Sequence, residues 1–209
     1  ARLEEARRDV ERAGGSAVAG RADVRDSDQL NSILAATTGG APLDLLVHAA
    51  GVLSLGPLES LGEAALRDML DVNVVGAARV VRAALPQLRA ARGRVVLVAS
   101  IAGRMALPGG FTGYAASKWA LRGWAECARD ELRERGISLT VAYPSIVDTT
   151  MISAQRGPEA PSVYRAFPWH APDLVARRIV DDALRGRRES FVRFGGRAAS
   201  WAAGAAPFA

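Results

Sequence analysis

A tyrosine and a lysine are spaced so that they could act together in general acid–base catalysis. Tyr114 and Lys118 lie four residues apart in a stretch of helical periodicity, and residues at this spacing meet on one helix face. A cation within about 4–6 Å stabilises a phenolate and lowers a phenol pKa from about 10 toward the range useful for general acid–base catalysis. Taken alone, such a pair is more often an ordinary amphipathic residue beside a solvated one.

The lysine of this pair is the only lysine in the chain. Of the 27 basic residues, all except Lys118 are arginine. A codon bias that favours arginine explains the arginine excess. Within that bias, a lone lysine indicates a position where arginine cannot replace it. Lysine is a compact point charge, whereas arginine is a planar fork of donors. Ser100, fourteen residues before Tyr114, could donate a hydrogen bond to a substrate oxygen.

Composition excludes several classes of protein. The formal net charge is +5, but the arginines are spread along the chain beside Asp and Glu, which is typical of solvated helix faces, so we expect no nucleic-acid partner. The single cysteine, Cys127, excludes an intramolecular disulfide framework. His48 and His170 are too far apart in sequence for a zinc motif of the usual spacing, and we expect no metal.

No segment has the character of a membrane span or a secretory signal. The apolar runs are far shorter than the ~20 residues needed to cross a bilayer. The first residues, ARLEEARRDV, are charged from the start. We therefore expect a cytoplasmic protein without a membrane partner.

Helical and strand-like patterns alternate along the chain. Helical periodicity covers about 3–13, 27–37, 63–88, 113–135 and 173–184, and strand-like apolar runs cover about 16–22, 43–50, 94–100, 138–143 and 190–194. Ser27 or Asp28 is the expected N-cap of the second helix. Strands that are apolar on both faces, alternating with helices, predict an α/β fold: a doubly wound, mostly parallel sheet with helices on both faces.

The ends of these strands predict where a ligand binds. Ligands of such sheets bind at the carboxyl ends of the strands. The loops after Ala22, Ala50, Ala99 and Tyr143 should therefore converge on one site.

Six short motifs occur in one order over nearly the whole chain. They are Asp23-Val24, HAAG at 48–51, NVVG at 73–76, SIAG at 100–103, YAASK at 114–118 and PSIVDT at 144–149. Singly they are weak, but in this order they resemble the short-chain dehydrogenase/reductase family. The resemblance implies a single Rossmann-type domain over 1–209 and an NAD- or NADP-dependent oxidoreductase that interconverts an alcohol and a ketone or aldehyde.

The resemblance also implies a role for each catalytic position. Tyr114 would be the general acid or base, and Ser100 would orient the carbonyl or hydroxyl, so both would touch the substrate. Lys118 would lower the pKa of Tyr114 and bind the nicotinamide ribose. Asn73 would hold a water that links Lys118 to solvent. Alone, an asparagine within a helix is more often a capping or kink residue.

Other positions of the motifs would bind the cofactor. Asp23 would contact the adenine and Val24 would lie beside it. A second group would flank the adenosine ribose and consists of His48, Ala49, Ala50 and Gly51. A third group would border the nicotinamide end and consists of Pro144, Val147 and Thr149. His48 and Ala49 stand where the family commonly has asparagine, and Ser145 stands where it has glycine. Asp23 could merely cap a strand end, and Gly51 and Gly103 could be simple turn glycines.

The glycine-rich turn of the family does not precede Asp23 in this sequence. No G-x-x-x-G-x-G pattern occurs there, so the first βαβ unit is expected to be absent from this sequence. Either that unit belongs to the protein and is not part of this sequence, or the chain is truncated and binds no cofactor. The intact catalytic positions favour the first explanation. The choice between NAD and NADP depends on the same unit and is therefore open.

Residues 150–170 are the expected substrate-binding loop. The aromatic residues Tyr164, Phe167 and Trp169 favour a fairly apolar substrate, although core packing explains them equally well. The family resemblance implies a homodimer or homotetramer built on the helices around 64–88 and 113–135. Two other functions are open: a scaffold that uses the fold without catalysis, and a basic nucleic-acid binder whose affinity falls steeply with salt.

Overall fold

The computed structural model describes residues 2–153, 160–162, 164 and 167–192. The helices are α1 (Arg2–Arg12), α2 (Ser27–Thr38), α3 (Glu63–Leu70), α4 (Ala77–Ala91), α5 (Thr112–Glu134), α6 (Thr150–Ser153) and α7 (Pro172–Leu184). The strands are β1 (Leu45–His48), β2 (Arg94–Val98), β3 (Ser138–Ala142), β4 (Ile146–Val147), β5 (Trp169–His170) and β6 (Glu189–Ser190).

Four strands form one parallel sheet in the order β1-β2-β3-β6. Alternate residues of β2 point to opposite faces, because side chains along a strand have a period of two. Val95 and Leu97 pack into a core with α4 and α5, whereas Val96 packs with Val175 and Ile179 of α7. The described residues therefore form the doubly wound arrangement predicted from the sequence.

The strand predicted at 16–22 is wrong. The structure places no strand between α1 and α2, and β1 is the edge of the sheet on that side. An apolar run becomes a strand only when a neighbour supplies hydrogen bonds to its backbone, and none of the described residues pairs with this run.

The helix predicted over 63–88 is divided in two. Between α3 and α4, a π-helical segment spans Asp71–Gly76, and α4 then continues to Ala91. Isolated π turns within α-helices are rare and often lie at functional sites. This segment contains Asn73, which is fully buried.

Smaller differences concern the ends of elements. Asp26 is the N-cap of α2, because its side chain accepts hydrogen bonds from the backbone N–H groups of Asp28 and Gln29. Ser27 and Asp28, predicted as the cap, are the first helical residues. The last strand begins one residue early and ends at Ser190, and residues 193–194 of the predicted strand lie outside the described residues.

Candidate active site

A cavity of about 420 Å³ lies at the carboxyl ends of the sheet strands. The loops that follow β1, β2 and β3 all contribute to it, through Gly51, Ser100 and Pro144 respectively. The fourth loop of the prediction, after Ala22, does not line this cavity, since the segment before it is not part of the sheet.

Ser100, Tyr114 and Lys118 share this cavity. Ser100 follows β2 and caps a short 3-10 turn, where its Oγ accepts a hydrogen bond from the backbone N–H of Ala102 at 3.2 Å. Tyr114 and Lys118 lie in the first two turns of α5, and the Lys118 Nζ is 5.6 Å from the centre of the Tyr114 ring. Three groups that are separated in sequence are thus brought together by one strand end and one helix.

Burial shifts the pKa values of Tyr114 and Lys118 in opposite directions. Desolvation raises the pKa of Tyr114 to about 12; a hydrogen bond with Ser100 opposes this shift, and Tyr164 adds to it. Desolvation lowers the pKa of Lys118 to about 8. Burial of the phenol is the largest cause of its shift, so the pKa of Tyr114 lies above its ordinary value, and the effect of Lys118 on Tyr114 stays a prediction.

Lys118 is held against the end of β2. The residue is 4% exposed, and its Nζ donates a hydrogen bond to the backbone carbonyl of Val98 at 3.2 Å. This contact orients the ammonium toward the cavity that Ser100 and Tyr114 also line.

Asn73 ties three parts of the site together. Its Oδ1 accepts a hydrogen bond from the backbone N–H of Val52 at 2.8 Å, and its Nδ2 donates to the carbonyl of Val52 at 3.0 Å. The same Nδ2 donates to Ser117 Oγ at 2.9 Å, and Ser117 in turn donates to the backbone carbonyl of Tyr114 at 2.7 Å. The π segment thereby connects the loop after β1 to the first turns of α5.

Two glycines allow close approach within the site. A Cβ on Gly51 would lie 3.1 Å from Asn73 Oδ1 and 3.6 Å from Lys118 Nζ. A Cβ on Gly103 would lie only 2.7 Å from the backbone carbonyl oxygen of Lys118. Gly103 therefore sets how closely α5 packs on the turn that carries Ser100.

The residues predicted to bind a cofactor fall into two groups. The first group lines the cavity and consists of Ala49, Gly51, Tyr114, Lys118, Pro144, Val147 and Thr149. The second group does not line it and consists of Asp23, Val24, His48 and Ala50. Within the first group, the resemblance implies the nicotinamide end for Pro144, Val147 and Thr149, and it implies the adenosine ribose for Ala49 and Gly51.

Asp23 and Val24 lie beside the π segment. The Arg25 guanidinium and the backbone N–H of Arg25 donate hydrogen bonds to the Asp23 carboxylate, which lowers the pKa of Asp23 to about 2. Arg25 also pairs with Asp68 of α3 at 2.9 Å. Val24 packs against Gly76, where a Cβ would lie 2.7 Å from Val24 Cγ2.

His48 is buried at the end of β1. It is 3% exposed, and its Nε2 has no hydrogen-bond partner among the described residues. Desolvation and the nearby positive charge of Lys118 lower the pKa of His48 to about 4, so the imidazole is neutral near pH 7.

The predicted substrate loop contributes to the cavity and to an aromatic cluster. Met151 lines the cavity. Tyr164, Phe167 and Trp169 instead join the cluster around Phe111, which also contacts Tyr114. Residues 154–159, 163 and 165–166 of this loop lie outside the described residues.

The sequence prediction did not include several residues of the site. Ser117 links Asn73 to Tyr114, and it could have been found because it lies within the YAASK motif. Val175 and Ile179 of α7 also line the cavity, and their helical periodicity indicated only a buried face.

No cluster of three or more potential metal-ligating side chains occurs among the described residues. Of the helices described, none has both the length and the apolar character needed to cross a bilayer.

Comparisons with known proteins show a family match over most of the chain. Residues 1–160 match the model of the family described as short chain dehydrogenase. Mouse (Mus musculus) 3-ketodihydrosphingosine reductase is 33% identical over 155 residues, which cover 72% of this chain and 46% of that protein. Human (Homo sapiens) 17-beta-hydroxysteroid dehydrogenase type 1 is 40% identical over 157 residues, which cover 75% of this chain and 47% of that protein.

A solved structure shares the fold. It is a short chain dehydrogenase from Burkholderia cenocepacia in complex with NADP, which superposes with a TM-score of 0.72 at 24% identity and covers 87% of this chain and 71% of its own. At this identity the likeness shows the fold alone, and it confirms the α/β prediction. The chain spans about half the length of the curated relatives described above.

Proposed function

Because the chain belongs to the short chain dehydrogenase family, we propose that it is an NAD(P)-dependent oxidoreductase that interconverts an alcohol and a ketone or aldehyde. The observation that carries this proposal is that Ser100, Tyr114 and Lys118 line one cavity at the strand ends. Asn73 is hydrogen-bonded to Ser117, which lies between Tyr114 and Lys118 in sequence.

The residues around the cavity suit the nicotinamide end of a dinucleotide. Glycine at position 51 leaves room between Asn73 and Lys118, and Pro144, Val147 and Thr149 line the wall formed by the loop after β3. We propose that Pro144, Val147 and Thr149 border the nicotinamide and that the Lys118 ammonium would donate to the hydroxyls of its ribose. On the family resemblance, Asp23, Val24 and residues 48–51 are proposed for the adenosine end. A bound nicotinamide supplies or accepts the hydride.

Tyr114 is the proposed proton donor and acceptor. Its pKa of about 12 keeps the phenol protonated at neutral pH, as carbonyl reduction requires. Ser100 lines the same cavity as Tyr114, and its proposed role is to orient the oxygen that receives the proton. In the oxidative direction Tyr114 must lose its proton, so the proposed role of the Lys118 ammonium is to stabilise the phenolate.

Asn73 is the proposed support of proton exchange. Its amide holds the loop after β1 beside Lys118, which is where the family places a water relay. The apolar lining of the cavity by Met151, Val175 and Ile179 favours a fairly apolar substrate.

Replacing Tyr114 tests the proposal. We expect Tyr114→Phe to lower the rate of ketone reduction or alcohol oxidation by about 10²–10⁴-fold, followed as absorbance of NADH or NADPH over a panel of ketones, aldehydes and alcohols. Tyr143→Phe is the matched control, since it removes the hydroxyl of another buried tyrosine that does not line the cavity. Turnover that Tyr114→Phe leaves unchanged would show that Tyr114 is not the acid, and no turnover by the native protein would favour the scaffold.

A further inference from the structure

One polar side chain of the cavity has no part in the proposed reaction. Among the described residues, those with polar side chains that line the cavity are Ser100, Tyr114, Lys118, Ser145, Thr149 and Thr150. The first three belong to the proposed reaction centre, and Thr149 is proposed to border the nicotinamide. The Thr150 hydroxyl accepts a hydrogen bond from the Arg2 guanidinium at 3.5 Å. Ser145, in the loop after β3, is left without an assigned role.

The Ser145 hydroxyl is both unpaired and accessible. It forms no hydrogen bond with the described residues, and it is not closed off from solvent as the unpaired hydroxyls of Tyr143 and Tyr164 are. Ser145 as a whole is half-buried, and it lines the cavity. A molecule in the cavity can therefore reach this hydroxyl.

The backbone does not dictate which residue stands at position 145. Among the described residues other than glycine, only Arg92 has a positive φ, so Ser145 has a backbone conformation that any residue adopts. Where the family resemblance implies a glycine, this chain thus carries a side chain without backbone strain, and that side chain adds a hydroxyl to the cavity wall.

Ser145 stands beside the turn that carries Ser100. The backbone N–H of Ile101, which follows Ser100, donates to the carbonyl of Pro144, which precedes Ser145, at 2.9 Å. This hydrogen bond continues the parallel pairing of β2 with β3, and paired strands lie about 4.8 Å apart. One small substrate can therefore contact the hydroxyls of both serines.

Most of the remaining cavity wall is apolar and includes Met151, Ile152, Val175 and Ile179. Such a wall offers no hydrogen bond to a substrate oxygen, and a polar atom that loses water without gaining a partner is penalised. A hydroxyl in this wall favours a substrate that places an oxygen against it over an analogue that leaves it unpaired.

We propose that the Ser145 hydroxyl binds a second oxygen of the substrate, on the carbon next to the reacting carbon. Ser100 and Tyr114 hold the reacting oxygen, and Ser145 holds its neighbour, so the protein prefers ketones that carry a hydroxyl or a second carbonyl beside the first. This inference rests on the proposed function and names a substrate class for it.

Three ketones of one aliphatic skeleton test this inference. The first is the plain methyl ketone, the second carries a hydroxyl on the carbon next to the carbonyl, and the third carries its hydroxyl at the far end of the chain. We expect the native protein to favour the second ketone over the other two by about tenfold in kcat/KM, the effect of one hydrogen bond. Because Ser145 contacts an oxygen that does not react, the preference should lie mainly in KM.

Variants at position 145 separate the hydroxyl from the rest of the side chain. Ser145→Ala and Ser145→Gly both remove the hydroxyl, and both should lower kcat/KM for the second ketone about tenfold and abolish the preference. Thr150→Val is the matched control, since it removes another hydroxyl that lines the cavity and should keep the preference. The Tm of Ser145→Ala should equal that of the native protein, because the hydroxyl has no partner in the fold.

The other results would overturn the role of Ser145 while leaving the oxidoreductase proposal standing. They are a native protein that reduces all three ketones equally, a preference that Ser145→Ala retains, and an equal loss for all three ketones with a raised KM for the cofactor, which would place the hydroxyl against the nicotinamide instead. A clear fall in Tm would show that the hydroxyl has a structural partner. If the native protein reduces no ketone or aldehyde of the panel, both proposals fail.

Discussion

Tyr114 and Lys118 are close together and both are perturbed by the same cause. Removal from water penalises the charged form of each group, so the pKa of the phenol rises to about 12 and that of the ammonium falls to about 8. The protonated phenol is therefore the stable form over the whole neutral range, while Lys118 begins to lose its proton just above that range. These opposite shifts make the stability of the fold depend on pH in two windows, which overlap between about pH 10 and 10.5.

The first window belongs to Lys118. Its pKa is lower in the folded chain than the ordinary value of 10.5, so between about pH 8 and 10.5 the unfolded chain binds more protons and stability increases with pH. We expect this group to add roughly 3 kcal/mol to the free energy of unfolding across that window. Lys118→Met should lack the increase, as measured by urea denaturation at several pH values. A parallel pH dependence in both proteins would contradict the shift.

The second window belongs to Tyr114. Its folded pKa exceeds the ordinary value of 10, so the stabilising effect is complete below pH 10 and is lost as the pH rises toward 12. Tyr114→Phe should lose less stability over this range than the native protein does. Equal losses in the two proteins would show that the phenol titrates normally.

At the level of elements, the packing of α5 on the turn after β2 determines where the two reactive groups lie. Gly103 meets the backbone of Lys118, and a backbone atom cannot yield as the end of a flexible side chain can. We expect Gly103→Ala to displace α5, destabilise the fold by about 1–3 kcal/mol and sharply reduce activity. Chemical denaturation and turnover of the same preparation measure the two effects.

Gly123, which lies in α5 itself, provides the control. A Cβ at Gly123 meets nothing within 4 Å, so alanine there should stabilise the protein by about 0.5–1 kcal/mol through its better helix propensity. If Gly123→Ala and Gly103→Ala behaved alike, close approach at Gly103 would not be the reason for its glycine.

The π segment makes a separate prediction. Asn73→Ala would leave the Val52 backbone groups without the side chain that pairs them, so we expect a loss of about 2–4 kcal/mol in stability. Val75→Ala in the same segment changes an exposed side chain and should cost less than about 0.5 kcal/mol. Comparable losses in the two variants would argue against the hydrogen bonds of Asn73 as the cause.

Local pattern predicted some of these elements and not others. The alternation of helices and strands, and the meeting of Ser100, Tyr114 and Lys118, followed from periodicity and from the rule that parallel strands end at one edge. The π segment could not be predicted, because the apolar spacing of 63–88 continues through Asn73. The contacts of Asn73 with Val52 and Ser117 join residues far apart in sequence, which local spacing does not show. The strand prediction at 16–22 was wrong because an apolar run forms a strand only when a neighbouring strand pairs with its backbone.

At the scale of the whole molecule, the assembly state is a prediction that sedimentation can test. The family resemblance implies a dimer or tetramer built on α3, α4 and α5, and Trp119 of α5 is 37% exposed. We expect the native protein to sediment as an oligomer and Trp119→Glu to shift it toward the monomer, because a buried carboxylate without a partner is costly. A native protein that sediments as a monomer at micromolar concentration would contradict this prediction.

The cytoplasmic location likewise stays a prediction.

The single lysine of this chain gives it an unusual property toward a lysine-specific protease. Only one peptide bond, the one after Lys118, can be cut, and it lies in the second turn of a helix packed against the sheet. Cleavage therefore requires that turn to open, so the digestion rate reports the opening equilibrium of α5. A ligand that binds in the cavity should slow cleavage after Lys118. The cleavage rate would then report, without a label, how much of the protein has ligand bound.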